Sequence, residues 1–120
     1  MNTATPTAGI EEGNLVIRFL EESIAATASE IRCMLDSTRI GLVIGVEFLD
    51  WRRQTGGGSI AAPSPQAQVR CSYDDEIDAL YIHINEERSQ IQTWLMASVE
   101  MTADRQVIKI QMELPPELYC

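Results

Sequence analysis

The chain has 120 residues, a formal net charge of −9 and a hydrophobic share of 45%, which is ordinary for a globular protein and argues against wholesale disorder. A chain of this length folds as one compact body, or as two very small units that share a core. Eight acidic against five basic residues in 1–54, and ten against four in 55–120, make both halves acidic, which disfavours direct binding to a nucleic-acid backbone because that needs clustered cations.

Composition divides the chain into four parts. Residues 1–13 begin with a run rich in Thr, Ala and Pro, and they are predicted to be a disordered tail. Residues 53–68 contain three consecutive glycines and two prolines, which are typical of a flexible linker. This linker separates a first unit, residues 14–52, from a second unit, residues 69–120.

The first unit contains three apolar segments that predict strands, namely Asn14–Leu20, Ile31–Leu35 and Leu42–Leu49. The last of these is apolar at nearly every position, which is typical of a strand covered on both faces. The alanines of Ser23–Glu30 allow a helical turn as well as an extended segment, and a short helix after Pro115 is also open. The predicted class is therefore mainly β, with α+β as the alternative.

The second unit contains four predicted strands, at Val69–Tyr73, Ala79–Asn85, Ile91–Met101 and Val107–Leu114. The second and fourth alternate apolar with polar residues, and the third places apolar residues at every second position on one face. Two prolines, Pro115 and Pro116, end the last strand because proline cannot continue the hydrogen-bond ladder.

The two units match each other at two places. Leu15–Phe19 resembles Leu80–Ile84 at an offset of 65 residues, and Val43–Phe48 resembles Val107–Met112 at an offset of 64. Two matches in the same order, differing by one residue, indicate a duplication with a small insertion or deletion. We therefore expect two antiparallel four-stranded meanders, the first degenerate, that pack face to face or join edge to edge as an internal pseudo-dimer.

The second unit carries a distinctive motif. Ser72–Ile82 reads S-Y-D-D-E-I-D-A-L-Y-I, and the pattern Y-D-x-x-x-D-A-L-Y-I resembles a family of small bacterial domains of unknown function. The resemblance covers Val69–Leu114 and implies extended structure for Ser23–Glu30. Some members of that family pair with small toxin-like genes, which implies an antitoxin-like role. The turn Ala103–Gln106 departs from the family, whose turn before the last strand is rich in Asp and Gly.

The acidic part of this motif is a candidate metal site. Asp74, Asp75 and Asp78 would supply the oxygen ligands that a hard cation prefers. The glycine of the best-known calcium loop is missing, however. The alternative is a hairpin turn in which the carboxylates accept hydrogen bonds from backbone amides.

Five residues are candidate interaction residues: Tyr81, His83, Trp94, Trp51 and Arg52. His83 alternates with apolar residues along its strand, and no serine or cysteine is placed to form a nucleophile–base pair with it. Trp94 lies on the polar face of its strand beside Met96, which suggests that this face is covered by the other unit or by another chain. Exposed tryptophans mark interfaces.

The cysteines and methionines are expected to be apolar filler. The three cysteines are too few and too widely spaced for a disulfide framework, so Cys33 and Cys71 are predicted to be core residues in a reducing cytosol. Met96, Met101 and Met112 are expected in the core. The sequence shows neither a signal peptide nor a membrane-spanning run, which predicts a cytoplasmic protein that does not enter a membrane.

Three functions are compatible with these features. The first is a non-enzymatic interaction or regulatory module, antitoxin-like or assembly-forming, that binds a protein partner or itself. The second is a metal-binding or metal-dependent hydrolase domain that uses the acidic turn and His83. The third is an acidic mimic of nucleic acid. The sequence favours the first, with no catalytic residues and no cofactor.

Overall fold

The computed structural model describes residues 6–20, 25–60 and 69–120. These residues form eight strands and one short helix, with the following bounds in chain order: β1 Thr7–Glu11, β2 Asn14–Arg18, β3 Thr27–Ser37, β4 Val43–Phe48, α1 Trp51–Thr55, β5 Arg70–Asp74, β6 Ala79–His83, β7 Ile91–Met101 and β8 Val107–Glu113. The mainly β class is thus confirmed. Within the described residues no helix is long and apolar enough to cross a membrane.

All eight strands belong to one antiparallel sheet with the order β1-β2-β8-β7-β3-β4-β6-β5. The two repeats meet at the centre, where β3 and β7 pair along their whole length, from Thr27 opposite Met101 to Ser37 opposite Ile91. The repeats therefore join edge to edge as a pseudo-dimer and do not stack face to face.

The strand order within each repeat differs from a meander, because the repeats exchange strands. The short turns join paired neighbours, as in β1–β2 and β5–β6, but β2 pairs with β8 and β6 pairs with β4. A tight turn forces its two strands to pair, whereas the longer connections at 19–26 and 84–90 leave the next partner open. In each repeat, the second strand therefore pairs with the last strand of the other repeat.

The register of the ladders shows a pseudo-twofold symmetry between the two repeats. Arg32 pairs with Met96, 64 positions later, so a pseudo-twofold axis passes through this pair. The irregularity that pairs Ser37 with Val43 recurs 64 positions later, where Met101 pairs with Val107. The same symmetry relates the β2–β8 ladder to the β6–β4 ladder. Adding 65 to a residue number in β2 gives the equivalent residue in β6, and subtracting 64 from a residue number in β8 gives the equivalent residue in β4. Applied together, the two offsets turn the residue pairs of one ladder into those of the other.

The core lies on one face of the curled sheet, which is called the inner face below. It contains alternate residues of the strands, among them Leu15, Ile31, Ile82 and Ile110, and all four are fully buried. Removing such a side chain from water stabilises the fold by about 1.5–3 kcal/mol. The alternation predicted for Ala79–Asn85 is confirmed, since its alternate residues Leu80, Ile82 and Ile84 are all buried.

Two segments close the ends of the core in equivalent ways. After β4 the chain runs through α1 to Ser59, whose carbonyl accepts a hydrogen bond from Val107 N at 2.8 Å. After β8 it runs to Tyr119, whose carbonyl accepts one from Val43 N at 2.7 Å. Val43 and Val107 are equivalent in the two repeats. The start of the predicted linker is therefore the counterpart of the C-terminal segment.

Two predicted boundaries are wrong. The predicted tail, residues 1–13, contains β1, because the turn at Glu12 and Gly13 allows a tight hairpin onto β2; its first five residues lie outside the described residues. The predicted linker, 53–68, is ordered as far as residue 60, since α1 and the bridge between Ser59 and Gln106 hold it. Residues 61–68 lie outside the described residues.

The structure decides between a helical turn and an extended segment for part of Ser23–Glu30. Thr27–Glu30 belong to β3, where β7 supplies their ladder partners, and Ser23 and Ile24 lie outside the described residues. Helix α1 instead follows β4, and the segment after Pro115 contains turns without a helix.

Cys33 is buried as predicted, and burial raises the pKa of its thiol to about 12. Cys71 is partly buried against the core, and burial raises its pKa to about 11. Met101 and Met112 are core residues, but Met96 is exposed, so its predicted place in the core is wrong. Its position on β7 is even-numbered, and even positions of this strand point away from the core.

Candidate interaction surface

The outer face of the sheet carries exposed apolar side chains at its centre. On the pseudo-twofold axis Arg32 lies opposite Met96, and the neighbouring pair is Met34 and Trp94. Trp94 is 49% exposed and Met96 is 55% exposed. The guanidinium carbon of Arg32 lies 4.5 Å from the centre of the Trp94 ring, which is a cation–π contact. These four residues are called the axial patch below.

An acidic groove adjoins the axial patch. It encloses about 510 Å³, and its lining includes Met96 together with the carboxylates of Glu30, Glu100 and Glu113. Lys109 also lines it and forms an ion pair with Glu100 at 3.0 Å. Glu30 and Glu113 form no ion pair with any described residue, so the groove keeps a negative charge. Met96 makes the apolar patch and the acidic groove one continuous surface.

A partly buried polar cluster lies across the axis from the groove. The carboxylate of Asp36 accepts hydrogen bonds from the Tyr81 hydroxyl at 3.0 Å and from Gln92 Nε2 at 3.2 Å. Burial, followed by the hydrogen bond to Asp36, raises the pKa of Tyr81 well above its usual range. Nε2 of His83 is buried without a hydrogen-bond partner in the described part of the chain.

Gly45 makes room for this cluster. A Cβ atom at Gly45 would lie 2.5 Å from the Tyr81 hydroxyl, so the tyrosine ring lies across β4 where any other residue would place a side chain. Position 109, equivalent to position 45, is a lysine, and position 16, equivalent to position 81, is a valine. The cluster therefore occurs in only one half of the pseudo-dimer.

The acidic turn holds the two repeats together. The carboxylate of Asp78 accepts hydrogen bonds from the backbone N–H groups of Arg52 at 2.9 Å and Arg53 at 3.3 Å, which are in the first turn of α1. It also accepts one from the Tyr73 hydroxyl at 2.6 Å. Asp78 thus caps a helix of the other repeat, a role that side-chain oxygens fill at helix N-termini.

The predicted metal site does not form. Asp74 Oδ1 accepts a hydrogen bond from Glu76 N at 3.0 Å within its own turn, while Asp78 is turned to α1. Within residues 6–20, 25–60 and 69–120, no group of three or more His, Cys, Asp and Glu side chains is placed to hold a metal ion. The carboxylates of Asp74, Asp75 and Asp78 therefore do not converge, because two of them bind backbone amides in different directions.

Two of the predicted interaction residues lie beside this turn. Trp51 is only 2% exposed, its Nε1 donates a hydrogen bond to the Gly58 carbonyl at 2.9 Å, and its ring meets Phe48 edge-on at 5.3 Å. The prediction that Trp51 is an interaction residue is therefore wrong, because α1 turns the indole into the core. The Arg52 guanidinium is exposed and lies 4.6 Å from the centre of the Tyr73 ring.

The sequence identified Trp94 but missed Arg32, Met34 and Glu30, which share its surface. The predicted strand Ile31–Leu35 contains Arg32 and Met34 at its outward positions and begins one residue after Glu30, whereas β3 extends from Thr27 to Ser37. The detectable signal is the period of two across the whole of β3, in which Glu30, Arg32 and Met34 alternate with buried Ile31, Cys33 and Leu35.

Comparisons of the chain with protein-family models, with curated proteins and with solved structures find no significant match. The resemblance of Ser72–Ile82 to a bacterial family thus stays a prediction.

The Asp78 cap predicts a change of stability with pH. Hydrogen bonds from Tyr73, and then from the α1 backbone, hold the pKa of Asp78 below its ordinary value of 3.8. A lowered pKa in the folded state contributes stability that is present above pH 3.8 and is lost as the pH falls through the folded pKa. In the Asp78→Asn variant, asparagine retains the tolerance for the positive φ at this position.

We expect Asp78→Asn to be less stable than the wild type at neutral pH, with the difference shrinking in strong acid. Urea unfolding monitored by circular dichroism at several pH values measures this. An equal difference in the free energy of unfolding at all pH values would contradict the assigned role of the carboxylate.

Gly45 and Gly9 form a matched pair for testing the polar cluster. An alanine at 45 would overlap the Tyr81 hydroxyl and also the Ile82 carbonyl oxygen, 2.6 Å away, whereas an alanine at 9 meets nothing within 4 Å. We expect Gly45→Ala to lower the free energy of unfolding by about 1–3 kcal/mol and Gly9→Ala to change it by less than about 0.5 kcal/mol. Equal effects in urea denaturation would show that Tyr81 does not pack on β4.

Proposed function

We propose that this protein is a small non-enzymatic interaction module whose outer face binds a basic segment of a partner protein. The observation that carries the proposal is the half exposure of Trp94 and Met96 at the centre of a sheet whose core is complete on the other face. Trp is the residue type most enriched among interface residues that dominate binding energy, and Met adapts to varied partners.

Charge supports a basic partner. The chain has a net charge of −9, and the groove beside Met96 carries Glu30 and Glu113 without counterions among the described residues. Complementary charge accelerates encounter and selects partners. Lysine or arginine side chains of the partner would lie in the acidic groove while an apolar neighbour covers Trp94.

The same charges weigh against self-association through this face. Two copies that paired through this face would each bring an acidic groove to the shared interface, and gathering like charges there costs free energy without counterions. We therefore favour partner binding, of the regulatory or antitoxin-like kind, over an assembly of identical chains. The free thiols of all three cysteines are compatible with a reducing cytoplasm as the proposed compartment.

The preorganised part of the surface is the Arg32–Trp94 contact. Because the guanidinium lies over one side of the indole ring, it restricts the ring before a partner arrives and lowers the entropy lost on binding. The other exposed parts of the ring stay free for apolar contact. The contact supports Trp94 as the anchor of the proposed surface, with the groove as the element that selects charge.

The test uses a short fluorescein-labelled peptide of alternating Lys and Leu, with a Glu-Leu peptide as the control. We expect the basic peptide to bind, to shift the Trp94 emission to shorter wavelength and to weaken with added salt. Trp94→Ser should weaken binding by about tenfold or more, as expected for an anchor worth at least about 1.4 kcal/mol. The double variant Glu30→Gln and Glu113→Gln should reduce both affinity and salt dependence.

Two control variants match these changes. Ile77→Ser alters another exposed apolar residue, in the acidic turn, and Glu87→Gln alters an exposed carboxylate outside the groove. Fluorescence anisotropy titrations compare all of them. If the controls weaken binding as much as the surface variants do, or if the acidic peptide binds equally well, the outer face is not the docking surface.

A further inference from the structure

Strand β5 forms one edge of the sheet, and one side of its backbone has no ladder partner among the described residues. Ile84 N donates a hydrogen bond to the Ile44 carbonyl at 2.8 Å, so the even-numbered residues of β6 turn their backbone groups towards β4 and the odd-numbered ones towards β5. Cys71 and Tyr73 lie opposite even-numbered residues of β6. Their N–H and C=O groups therefore point away from the sheet and are open to another strand.

The side chains of β5 follow a self-complementary order. Arg70 and Asp74 lie at its two ends and are exposed, as is Ser72 at its centre. Cys71 and Tyr73 alternate with them and pack against the core on the inner face. An antiparallel copy of this strand, centred on Ser72, would place each Arg70 opposite the Asp74 of the other copy. On the inner face it would place each Cys71 opposite a Tyr73.

We propose that the β5 edge pairs with the β5 edge of a second copy, antiparallel about a twofold axis at Ser72, and that the resulting dimer has one continuous sheet. In this register the open backbone groups of Cys71 meet those of Tyr73 and form four hydrogen bonds across the axis. An ion pair between Arg70 and Asp74 of the other copy closes each end. One occupant thus satisfies both the backbone edge and the charges beside it.

Both charged side chains keep capacity for a second copy. Arg70 forms an ion pair with Glu86 of its own chain at 2.6 Å, but a guanidinium has five N–H donors and can bind a second carboxylate. Asp74 Oδ1 accepts a hydrogen bond from Glu76 N at 3.0 Å, which leaves Oδ2 for the guanidinium of the other copy.

The charges favour this pairing over one that uses β1, the strand at the other edge of the sheet. Two β1 strands centred on Gly9 would place Thr7 opposite Glu11, which pairs no opposite charges, and a glycine weakens a strand interior. A β5–β1 contact would match Arg70 with Glu11 alone, and Arg18 already binds Glu11 at 2.9 Å. Such a contact also leaves an open edge on each copy, so it would build filaments unless it closed into a ring.

The dimer leaves the axial patch and the acidic groove uncovered. A twofold axis perpendicular to the sheet keeps both outer faces on the same side, so the dimer presents two axial patches to one partner, which raises avidity. The dimer needs no docking peptide to form, so its tests stand apart from those of the proposed function.

The first test traps the dimer with a disulfide. Ser72 would face its own copy in a non-hydrogen-bonded pair with Cα atoms about 4.5 Å apart, a separation that a disulfide spans. Cys71→Ser and Cys120→Ser in the background leave buried Cys33 as the remaining native thiol. Ser72→Cys should then form a linked dimer under mild oxidation. Gly9→Cys is the matched control at the equivalent place on β1, where a Cβ atom meets nothing within 4 Å, and it should link much more slowly.

The second test exchanges the charges. Arg70→Glu places carboxylates opposite each other, Asp74→Arg places guanidiniums opposite each other, and each should weaken the dimer by about tenfold or more. An equimolar mixture of the two variants should regain the dimer, because every opposite pair then joins unlike charges. Arg39→Glu makes the same change of net charge as Arg70→Glu at an exposed residue of the β3–β4 turn and should leave the dimer unchanged.

Sedimentation equilibrium at chain concentrations up to about 1 mM measures these differences, since even a dissociation constant of that order is then detectable. A monomeric wild type at about 1 mM, equal linking of Ser72→Cys and Gly9→Cys, or a mixture no more dimeric than its separate components would each overturn the inference. If circular dichroism shows that Asp74→Arg does not fold, the disulfide comparison decides.

Discussion

The antiparallel pairing of β3 with β7 is the constraint on which the rest of the structure depends. It is the longest ladder in the described part of the chain, it runs from Thr27 opposite Met101 to Ser37 opposite Ile91, and it places the pseudo-twofold axis at Arg32 and Met96. Once these strands are paired, the edge of each repeat is covered by the other. The exchange of β2 and β6 then follows, since each finds the free edge of β8 or β4 beside it.

This arrangement explains how units of about fifty residues fold stably. A unit of that size buries too little apolar surface to be stable on its own. Because the repeats lie on one chain, their association carries a high effective concentration. The core residues from both repeats form one cluster, and the closing segments that end at Ser59 and Tyr119 seal its two ends.

The hydrophobic periodicity of the sequence predicts those parts of the fold that depend on residues close together in the chain. The strand positions, the buried faces of β6 and β7 and the offsets between the repeats follow from periodicity. The strand exchange does not, because the long connections at 19–26 and 84–90 are compatible with more than one partner. The first strand was missed because Thr7–Glu11 has little apolar character, and its hairpin partner β2 supplies the order that its own sequence lacks.

The residues of the candidate surface were likewise predictable only where their placement depends on the local sequence. Trp94 was recognised from its place on the polar face of its strand, whereas the burial of Trp51 depends on α1, whose first turn is capped by Asp78 of the other repeat. A contact between residues so far apart in the chain leaves no local signal.

Positions that the pseudo-twofold axis relates have different roles in the two repeats. The acidic motif of the second repeat has no counterpart in the first, and its Tyr73 and Asp78 act as a clamp on the helix that follows β4. Asp36, Gly45 and Tyr81 form a polar cluster on one side of the axis, while Lys109 and Glu100 form an ion pair at the equivalent place on the other. The backbone ladders follow the pseudo-twofold symmetry, whereas the side chains at equivalent positions differ in their chemistry.

The strand exchange is tested most directly by dividing the chain within residues 61–68 and producing 1–64 and 65–120 as separate polypeptides. We expect that neither piece alone shows the β-sheet circular dichroism spectrum of the whole chain. Mixed in equal amounts, the two should form a one-to-one complex that has that spectrum and elutes with the intact protein in gel filtration. Two pieces that fold separately and stay apart on mixing would contradict it.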